Sequence, residues 1–193
     1  MKFSLLMSLY FKESPSYLNQ ALSSVWVDQT VRPSEIILVL DGPITKDLTN
    51  IIDIWKVKLQ ESLKIVELKE NVGLGNALNI GLKNCSNEWV FRMDTDDICM
   101  PDRFEKQLAF IESNPDVVVF GGQVLEFENE PNDFQVLKSV PTTNEEIRLF
   151  SQKRCPFNHM TVAYKKSIIL ELGGYQHHLF MEDYNLWLRV IGA

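Results

Sequence analysis

The sequence predicts an α/β fold with a mainly parallel central sheet flanked by helices, and three observations lead to this prediction. Short apolar runs of strand length alternate along the chain with segments whose apolar residues recur at helical spacing. Pro, Gly, Asn and Asp lie at the junctions, as is typical of turns and helix starts. Strands and helices that alternate at this spacing form βαβ units, which make their strands parallel. We therefore expect a Rossmann-like sheet that binds its ligands beyond the carboxyl ends of the strands.

The first half of the chain gives the clearest element predictions. The apolar run Phe3–Tyr10 predicts the first strand, after which Ser14 is the expected N-cap and Pro15 the first residue of an amphipathic helix. The apolar run Glu35–Leu40 predicts a buried second strand that ends at an Asp-Gly-Pro turn. The pattern then repeats as helix, strand, helix and strand, at Leu48–Leu59, Lys64–Leu68, Leu74–Leu82 and Glu88–Met93.

In the second half the alternation continues once and then weakens. A helix at Pro101–Ser113 and a strand at Val117–Phe120 are predicted from their apolar spacing. Beyond these, we expect antiparallel strands within 123–160, a polar loop at 129–132, and short helices near Glu145–Phe150, at Ile168–Leu172 and at Tyr184–Val190. Because the chain has no internal repeat and no linker, one domain spanning 1–193 is expected.

Composition limits the classes of protein to which the chain can belong. Of its 193 residues, 45% are hydrophobic and 23% are charged, which are globular proportions. A net charge of −7 without a cluster of Lys and Arg argues against a nucleic-acid-binding surface. No apolar stretch approaches the roughly 18 residues of a membrane span, and the N-terminal run resembles a signal peptide poorly, so a cytoplasmic protein is expected. Cys85, Cys99 and Cys155 are widely spaced and are expected to be reduced thiols.

Polar residues follow several of the predicted strands. Asp41, Asn71 and Asp94 each lie just past a strand's end, so they are expected to meet at one edge of the sheet. Asp94, Asp96 and Asp97 place three carboxylates in one turn, where they repel one another. One interpretation is a hard divalent cation held by these carboxylates together with phosphate oxygens. The other is a solvated loop whose aspartates cap the next helix, and the turn alone does not decide between them.

Several motifs, in this order and at this spacing, resemble those of family 2 glycosyltransferases. They are Val39-Leu40-Asp41-Gly42-Pro43, the segment Asn71 to Asn79, Arg92-Met93-Asp94-Thr95-Asp96-Asp97, Pro101-x-Arg103 with Gln107, Gly173-Gly174-Tyr175 and Glu182-Asp183. The resemblance extends from about Phe3 to Trp187 and is most similar to bacterial enzymes that assemble exopolysaccharide and O-antigen repeats, including amylovoran-type transferases. It implies a GT-A nucleotide-diphospho-sugar transferase fold, a UDP-sugar donor, Mg²⁺ or Mn²⁺, and inversion at the anomeric carbon.

The resemblance also implies roles for residues of the nucleotide site. Asp41 matches the Asp that recognises the nucleobase, because a carboxylate accepts the N3–H of uracil, although it could equally cap the helix near Lys46. Tyr10 and Glu13 are expected to complete the nucleoside pocket, and Glu13 fits equally well as an acid at a helix start. In the glycine-containing turn we expect Asn71, Gly73 and Asn76 beside the nucleotide, although such glycines can simply make the turn.

In the acidic motif, Asp94 and Asp96 match the DxD pair. The resemblance places Asp94 near ribose and metal and makes Asp96 the direct metal ligand, with Thr95 between them in the same site. Arg92 is expected to orient one of these carboxylates. Asp97 is expected to be structural.

The remaining motifs belong to the acceptor side. Asp183 matches the Asp of the ED pair, which supplies the general base, while Glu182 and Gly174 are expected to support the donor and acceptor site. The alternative for the pair is an acidic first turn of a helix, and both can hold at once. His159 lies in a segment that resembles one beside the donor sugar, but an isolated histidine more often has a structural role. His177 and His178 have no metal-ligand spacing.

On this resemblance, residues 1–97 form a nucleotide-binding half and residues 98–193 an acceptor-side half that is expected to be truncated at its C-terminus. The expected acceptor is a saccharide or an undecaprenyl-diphosphate-linked saccharide, with peripheral membrane association through residues beyond this end. One alternative is a nucleotide-sugar-binding module that is inactive at this length. Another is a phosphatase of the haloacid-dehalogenase type, which needs its DxD motif after the first strand.

Overall fold

The computed structural model describes residues 1–128, 131, 133, 135–176, 178 and 180–192. His177 and most of the predicted polar loop at 129–132 lie outside these residues. The strands are β1 (Phe3–Leu9), β2 (Glu35–Leu40), β3 (Leu63–Glu67), β4 (Trp89–Arg92), β5 (Val119–Phe120), β6 (Val124–Phe127), β7 (Gln135–Lys138) and β8 (Ala163–Lys165). The helices are α1 (Pro15–Trp26), α2 (Lys46–Leu59), α3 (Leu74–Asn84), α4 (Arg103–Ser113), α5 (Asn144–Phe150), α6 (Lys166–Glu171) and α7 (Glu182–Gly192).

The main sheet has six strands in the order β3-β2-β1-β4-β8-β5. Strands β3, β2, β1 and β4 are parallel, while β8 runs antiparallel to both β4 and β5. A separate two-stranded antiparallel ribbon is formed by β6 and β7. The prediction of an α/β fold with a mainly parallel sheet and a small antiparallel portion is therefore confirmed.

Two apolar layers cover the two faces of the main sheet. Because side chains alternate along a strand, Leu5 and Met7 of β1 face one layer and Leu6 faces the other. The first layer packs against α1, α2 and α4, and the second packs against α3, α6 and α7. Both layers contain fully buried residues such as Phe91 and Trp187, so both faces of the sheet are closely packed.

The predicted start of α1 is confirmed: Ser14 is its N-cap, although the Ser14 hydroxyl lies 2.7 Å from that of Ser16 and makes no capping bond. The starts of two other helices need correction. Helix α4 begins at Arg103 rather than at Pro101. Helix α7 begins at Glu182 rather than at Tyr184, so the acidic pair does form the first turn of a helix.

A buried carboxylate joins the starts of the first three parallel strands. Glu35 is only 4% exposed, and it accepts hydrogen bonds from Ser4 Oγ (2.5 Å), Lys64 Nζ (2.6 Å) and Ser86 N (2.6 Å). Burial by itself raises the pKa of Glu35, but the hydrogen bonds from Lys64, Ser4 and Ser86 outweigh it and lower the pKa to about 2. The folded state therefore favours the ionised carboxylate.

We expect Glu35→Gln to lower the free energy of unfolding at pH 7 by roughly 2–3 kcal/mol, because a charge-assisted network is replaced by a weaker neutral one. Since folding lowers the pKa, this stabilisation is present above the ordinary glutamate value and is lost as pH falls towards about 2. Urea denaturation of both proteins at pH 7 and pH 3 measures the effect. The exposed Glu61, changed to Gln, serves as control. A difference that is equally large at pH 3 would contradict the explanation.

Candidate functional site

The carboxyl ends of β1, β2 and β4 border a cavity of about 450 Å³. A cavity of this size is in the range of small-molecule sites in proteins. Its walls include eight of the residues predicted from the sequence, together with Ser8 and Leu74, which the sequence reasoning missed. The lining residues are Ser8, Tyr10, Glu13, Asp41, Asn71, Gly73, Leu74, Asp94, Thr95 and Asp96.

The acidic turn after β4 forms a compact carboxylate cluster. One carboxylate oxygen from each of Asp94, Asp96 and Asp97 lies within 4.8 Å of the others. Asp97, which was expected to be structural, thus lies together with the DxD pair. Burial and the neighbouring Asp94 and Asp96 raise the pKa of Asp97 to about 6, and burial with Asp94 also raises the pKa of Asp96.

The cluster fits a hard divalent cation. Asp97 Oδ2 is buried and has no hydrogen-bond partner among the described residues, although buried carboxylate oxygens are normally satisfied. Three carboxylates at this separation provide the oxygen ligands that Mg²⁺ and Mn²⁺ prefer. The solvated-loop interpretation leaves Asp97 Oδ2 without a partner among the described residues, and it offers no cation for Asp96 and Asp97 beyond the Arg92 that pairs with Asp94.

Arg92 forms an ion pair with one member of the cluster, Asp94. Its side chain is completely buried, and its guanidinium forms an ion pair with Asp94 Oδ1. Burial by itself raises the pKa of Asp94, but Arg92 outweighs it and holds that pKa below its ordinary value. Arg103 in turn donates to the Arg92 carbonyl at 2.8 Å, which fixes the end of β4 against α4. Arg92 thus pairs with Asp94 without being one of the residues that line the cavity.

Glu13 connects the first strand's loop to the acidic turn. Its Oε2 accepts a hydrogen bond from Thr95 Oγ1 at 2.9 Å, and its Oε1 accepts one from Ser14 N at 2.8 Å. Glu13 therefore lines the cavity and also lies at a helix start. Tyr10 lies in the same wall and is 44% exposed, so its ring is accessible to a ligand.

Asp41 binds the loop that precedes α3. Its two carboxylate oxygens accept hydrogen bonds from Val72 N (2.7 Å) and Gly73 N (3.1 Å), and the Asn71 side chain donates to the Asp41 carbonyl (3.2 Å). The alternative in which Asp41 caps the helix near Lys46 is wrong, because Thr45 is that helix's N-cap. Each carboxylate oxygen retains a second acceptor position, so the contacts with the loop leave capacity for a ligand N–H.

The Gly-Gly-Tyr turn is fixed against α3 by Asn79. Asn79 Nδ2 donates to the Tyr175 carbonyl at 2.7 Å, and Tyr175 N donates to Asn79 Oδ1 at 2.8 Å. Gly174 has a φ of +66°, and a Cβ there would lie 2.3 Å from Asn79 Oδ1. Only glycine fits this position. Gly174 therefore shapes the turn, and it lines neither this cavity nor the second one described next.

A second cavity, of about 350 Å³, adjoins the first and shares Gly73 and Leu74 with it. Asn76, which was predicted to lie beside the nucleotide, lines this second cavity. Phe180 is 89% exposed and presents an aromatic ring in the same wall. The lining residues are Val72, Gly73, Leu74, Gly75, Asn76, Gln176, His178, Phe180 and Glu182.

The acidic pair forms the first two residues of helix α7, and of the two only Glu182 lines the second cavity. Glu182 packs closely against Gly75, where an added Cβ would lie 3.3 Å from the Glu182 Cβ. Asp183 is partly buried, and its Oδ1 accepts a hydrogen bond from Tyr184 N at 2.7 Å. Asp183 Oδ2 lies 3.5 Å from Cys155 Sγ, a contact that the sequence did not predict.

His159 has a structural environment. Its Nε2 lies 2.9 Å from the Tyr175 hydroxyl, and its ring is 6.1 Å from that of Trp187. Burial and the Arg92 charge lower the pKa of His159 to about 3, so the imidazole is neutral at physiological pH. This agrees with the structural interpretation of His159. His178 lines the second cavity.

Comparison with known proteins gives consistent results. The family model described as glycosyl transferase family 2 matches residues 4–173. An uncharacterized glycosyltransferase of Haemophilus influenzae is 53% identical over 99% of this chain and 70% of its own length. The amylovoran biosynthesis glycosyltransferase AmsE of Erwinia amylovora is 48% identical over 98% of this chain and 69% of its own length. The Escherichia coli enzyme named UDP-Gal:alpha-D-GlcNAc-diphosphoundecaprenol beta-1,3-galactosyltransferase is 44% identical over 97% of this chain and 67% of its own length.

Solved structures with low sequence identity share the fold. The mannosyltransferase PcManGT of Pyrobaculum calidifontis, in complex with GDP-Man and Mn²⁺, superposes with a TM-score of 0.70 at 19% identity, covering 96% of this chain and 50% of that one. Residues 1–349 of Staphylococcus aureus TarS superpose with a TM-score of 0.72 at 23% identity, covering 99% of this chain and 55% of that one. The chain thus spans about 70% of the length of the first of these relatives and about half of these structural neighbours. Among the described residues, no helix combines the length and apolar character needed to cross a membrane.

Proposed function

The chain belongs to glycosyl transferase family 2 and has its GT-A fold, and we propose that it transfers a sugar from a UDP-sugar donor to a saccharide or lipid-linked saccharide acceptor, with inversion. One observation above all supports this proposal: an acidic cluster suited to a divalent cation and the Asp41 loop border the same cavity. Relatives named for amylovoran biosynthesis and for a diphosphoundecaprenol-linked sugar support a role in bacterial surface polysaccharide synthesis. As part of the same proposal, we place this reaction at the cytoplasmic face of the membrane.

The first cavity suits a nucleoside diphosphate. Asp41 and Tyr10 offer a carboxylate and an aromatic ring for a nucleobase, while the acidic cluster lies at the other strand ends. Gly73 and Leu74 bring the N-terminus of α3 into the wall, and a helix N-terminus favours phosphate groups. The helix N-terminus offsets part of the repulsion between a diphosphate and a chain of net charge −7.

Asp94, Asp96 and Asp97 are the residues that would hold Mn²⁺ or Mg²⁺. A bound divalent ion would supply Lewis-acid neutralisation of the diphosphate leaving group. Arg92 keeps the Asp94 carboxylate ionised and oriented, and Thr95 ties the turn to Glu13. The chain's own contribution is therefore a carboxylate cluster that is fixed before the donor binds.

Asp183 is our candidate for the general base. The acceptor hydroxyl would give its proton to the Asp183 carboxylate while its oxygen forms a bond to the anomeric carbon. The bond between that carbon and the UDP oxygen would break at the same time, and its electron pair would leave on UDP. The second cavity, with Glu182 in its wall and the exposed Phe180 ring beside it, is our candidate for the acceptor saccharide. The alternative of a DxD phosphatase finds no support, because Asp94 follows β4 rather than β1.

We expect UDP to stabilise the protein more than GDP, ADP or CDP, because the Asp41 carboxylate can accept the uracil N3–H. Asp41→Ala should weaken UDP binding by roughly 1.5–3 kcal/mol, the value of a charge-assisted hydrogen bond. Because Asp41 also holds Val72 and Gly73, the decisive readout is the ratio of UDP to CDP affinity, measured by calorimetry, since the ring N3 of cytosine carries no hydrogen. A disturbed loop would weaken the binding of both nucleotides equally, whereas loss of base recognition would lower the ratio of their affinities. Equal shifts for every nucleotide in the unsubstituted protein would contradict the UDP assignment.

A further inference from the structure

The two oxygens of the Asp183 carboxylate have different surroundings. Oδ1 accepts the backbone N–H of Tyr184, so it is held by the helix to which it belongs. Oδ2 lies 3.5 Å from Cys155 Sγ, which belongs to the segment between α5 and β8. The direction of the carboxylate therefore depends on a side chain outside α7.

The segment that contains Cys155 is packed along α7 on both sides of the thiol. Before it in sequence, the Ser151 carbonyl accepts a hydrogen bond from the Tyr184 hydroxyl at 2.5 Å. After it, the ring of Phe157 packs edge-on against Trp187, with ring centroids 5.6 Å apart. These two contacts fix the distance between Cys155 and the first turn of α7.

The thiol is suited to orient a carboxylate without blocking it. Burial raises the pKa of the Cys155 thiol to about 12, so at neutral pH the sulfur keeps the proton that it can donate. The same thiol also points its donor towards the Phe157 carbonyl at 3.3 Å, so its single proton is shared between that carbonyl and Asp183 Oδ2. An S–H group is a weak donor, and a carboxylate oxygen accepts two hydrogen bonds, so Oδ2 remains able to accept one from a hydroxyl.

We propose that Cys155 is a positioning residue for sugar transfer, which holds Asp183 Oδ2 in the direction of the acceptor hydroxyl. This inference rests on the proposed role of Asp183 as general base. A carboxylate anchored only through Oδ1 can rotate about its χ angles, and a misaligned base slows proton transfer more than it weakens binding. Cys155 would therefore act on kcat and leave the affinity for the donor unchanged.

We expect Cys155→Ala to lower kcat about five- to tenfold, the effect of losing one weak hydrogen bond, with the KM for the UDP-sugar unchanged. Cys155→Ser, which keeps a donor at the same position, should recover most of the rate. Cys85→Ala removes a buried thiol next to Gly81 and should leave kcat unchanged. If the Ala variant melts at a lower temperature, Cys155→Val replaces it, because Val fills the thiol's volume without a donor.

A double-mutant cycle with Asp183→Asn separates positioning from packing. If Cys155 acts through the carboxylate, Cys155→Ala should cause no further loss in the Asp183→Asn background. The same five- to tenfold loss in both backgrounds, or full activity of Cys155→Ala alone, would overturn the inference. If Asp183→Asn itself retains normal transfer, the general-base assignment fails first, so the failure of the two proposals is distinguishable.

Discussion

Asp183→Asn is expected to reduce sugar transfer by roughly 10²–10⁴-fold, the usual contribution of general-base catalysis. Asn has the shape of Asp and can still accept the Tyr184 N–H, so α7 keeps its first turn. It cannot take a proton from the acceptor hydroxyl. Since Asp183 belongs to α7 and lies outside the residues that line the first cavity, the affinities for UDP and Mn²⁺ should stay nearly unchanged. Transfer is followed with a radiolabelled donor, and UDP binding by calorimetry.

A matched control tests whether the loss comes only from removing an acid at a helix start. Asp47 lies in the first turn of α2, so Asp47→Asn makes the same chemical change in a similar local setting away from the cavity. Its transfer rate should equal that of the unsubstituted protein. Product analysis by NMR completes the test, because direct attack on an α-linked donor gives a β-linked product. Retained configuration, or near-normal transfer by Asp183→Asn, would show that the base is misassigned.

Much of the nucleotide side could be predicted because local patterns determine it. Strands β2, β3 and β4 were each predicted from their own sequence runs, and a polar residue shortly after each must lie at the carboxyl edge of a parallel sheet. Asp41, Asn71 and Asp94 were placed by this reasoning alone, and all three line the first cavity. The element order, rather than any single motif, contained this information.

The acceptor side was harder to predict because its contacts join distant parts of the chain. Strand β8 has only three residues and is recognised by its pairing with β4 rather than by its own pattern. Cys155 meets Asp183 across 28 positions of sequence, and a single cysteine gives no signal of such a contact. Asn79 is an exception, since it belongs to the predicted Asn71 to Asn79 motif, yet its partner Tyr175 could be identified only from the fold.

The burial of Asp97 could not be predicted from the acidic motif in which it lies. The DxD pattern drew attention to Asp94 and Asp96, and the third acid fitted a helix-start role equally well. What distinguishes it is burial: Asp97 Oδ2 has no partner among the described residues, and its two acidic neighbours raise the cost of ionisation. Burial depends on how β4 and α4 pack, so the sequence alone could not reveal it.

Removal of Asp96 is expected to abolish the Mn²⁺-dependent part of UDP binding. Asp96 is the exposed member of the carboxylate cluster and lines the first cavity, whereas Asp94 is committed to its ion pair with Arg92. We expect Mn²⁺ to strengthen UDP binding by about 3 kcal/mol, or roughly 100-fold, in the unsubstituted protein. In Asp96→Ala, UDP affinity should be equally low with Mn²⁺ and with excess chelator. Calorimetric titration under both conditions measures the difference.

The stability of the metal-free protein gives an independent check on the same variant. Since Asp94, Asp96 and Asp97 repel one another, Asp96→Ala should melt in chelator at a temperature equal to or above that of the unsubstituted protein. Asp53→Ala, which removes an exposed carboxylate paired with Lys56 on α2, is the control for the change in net charge and should retain the full response to Mn²⁺. If the unsubstituted protein binds UDP equally well in excess chelator, the cluster is structural, because a diphosphate then needs no cation to approach three carboxylates.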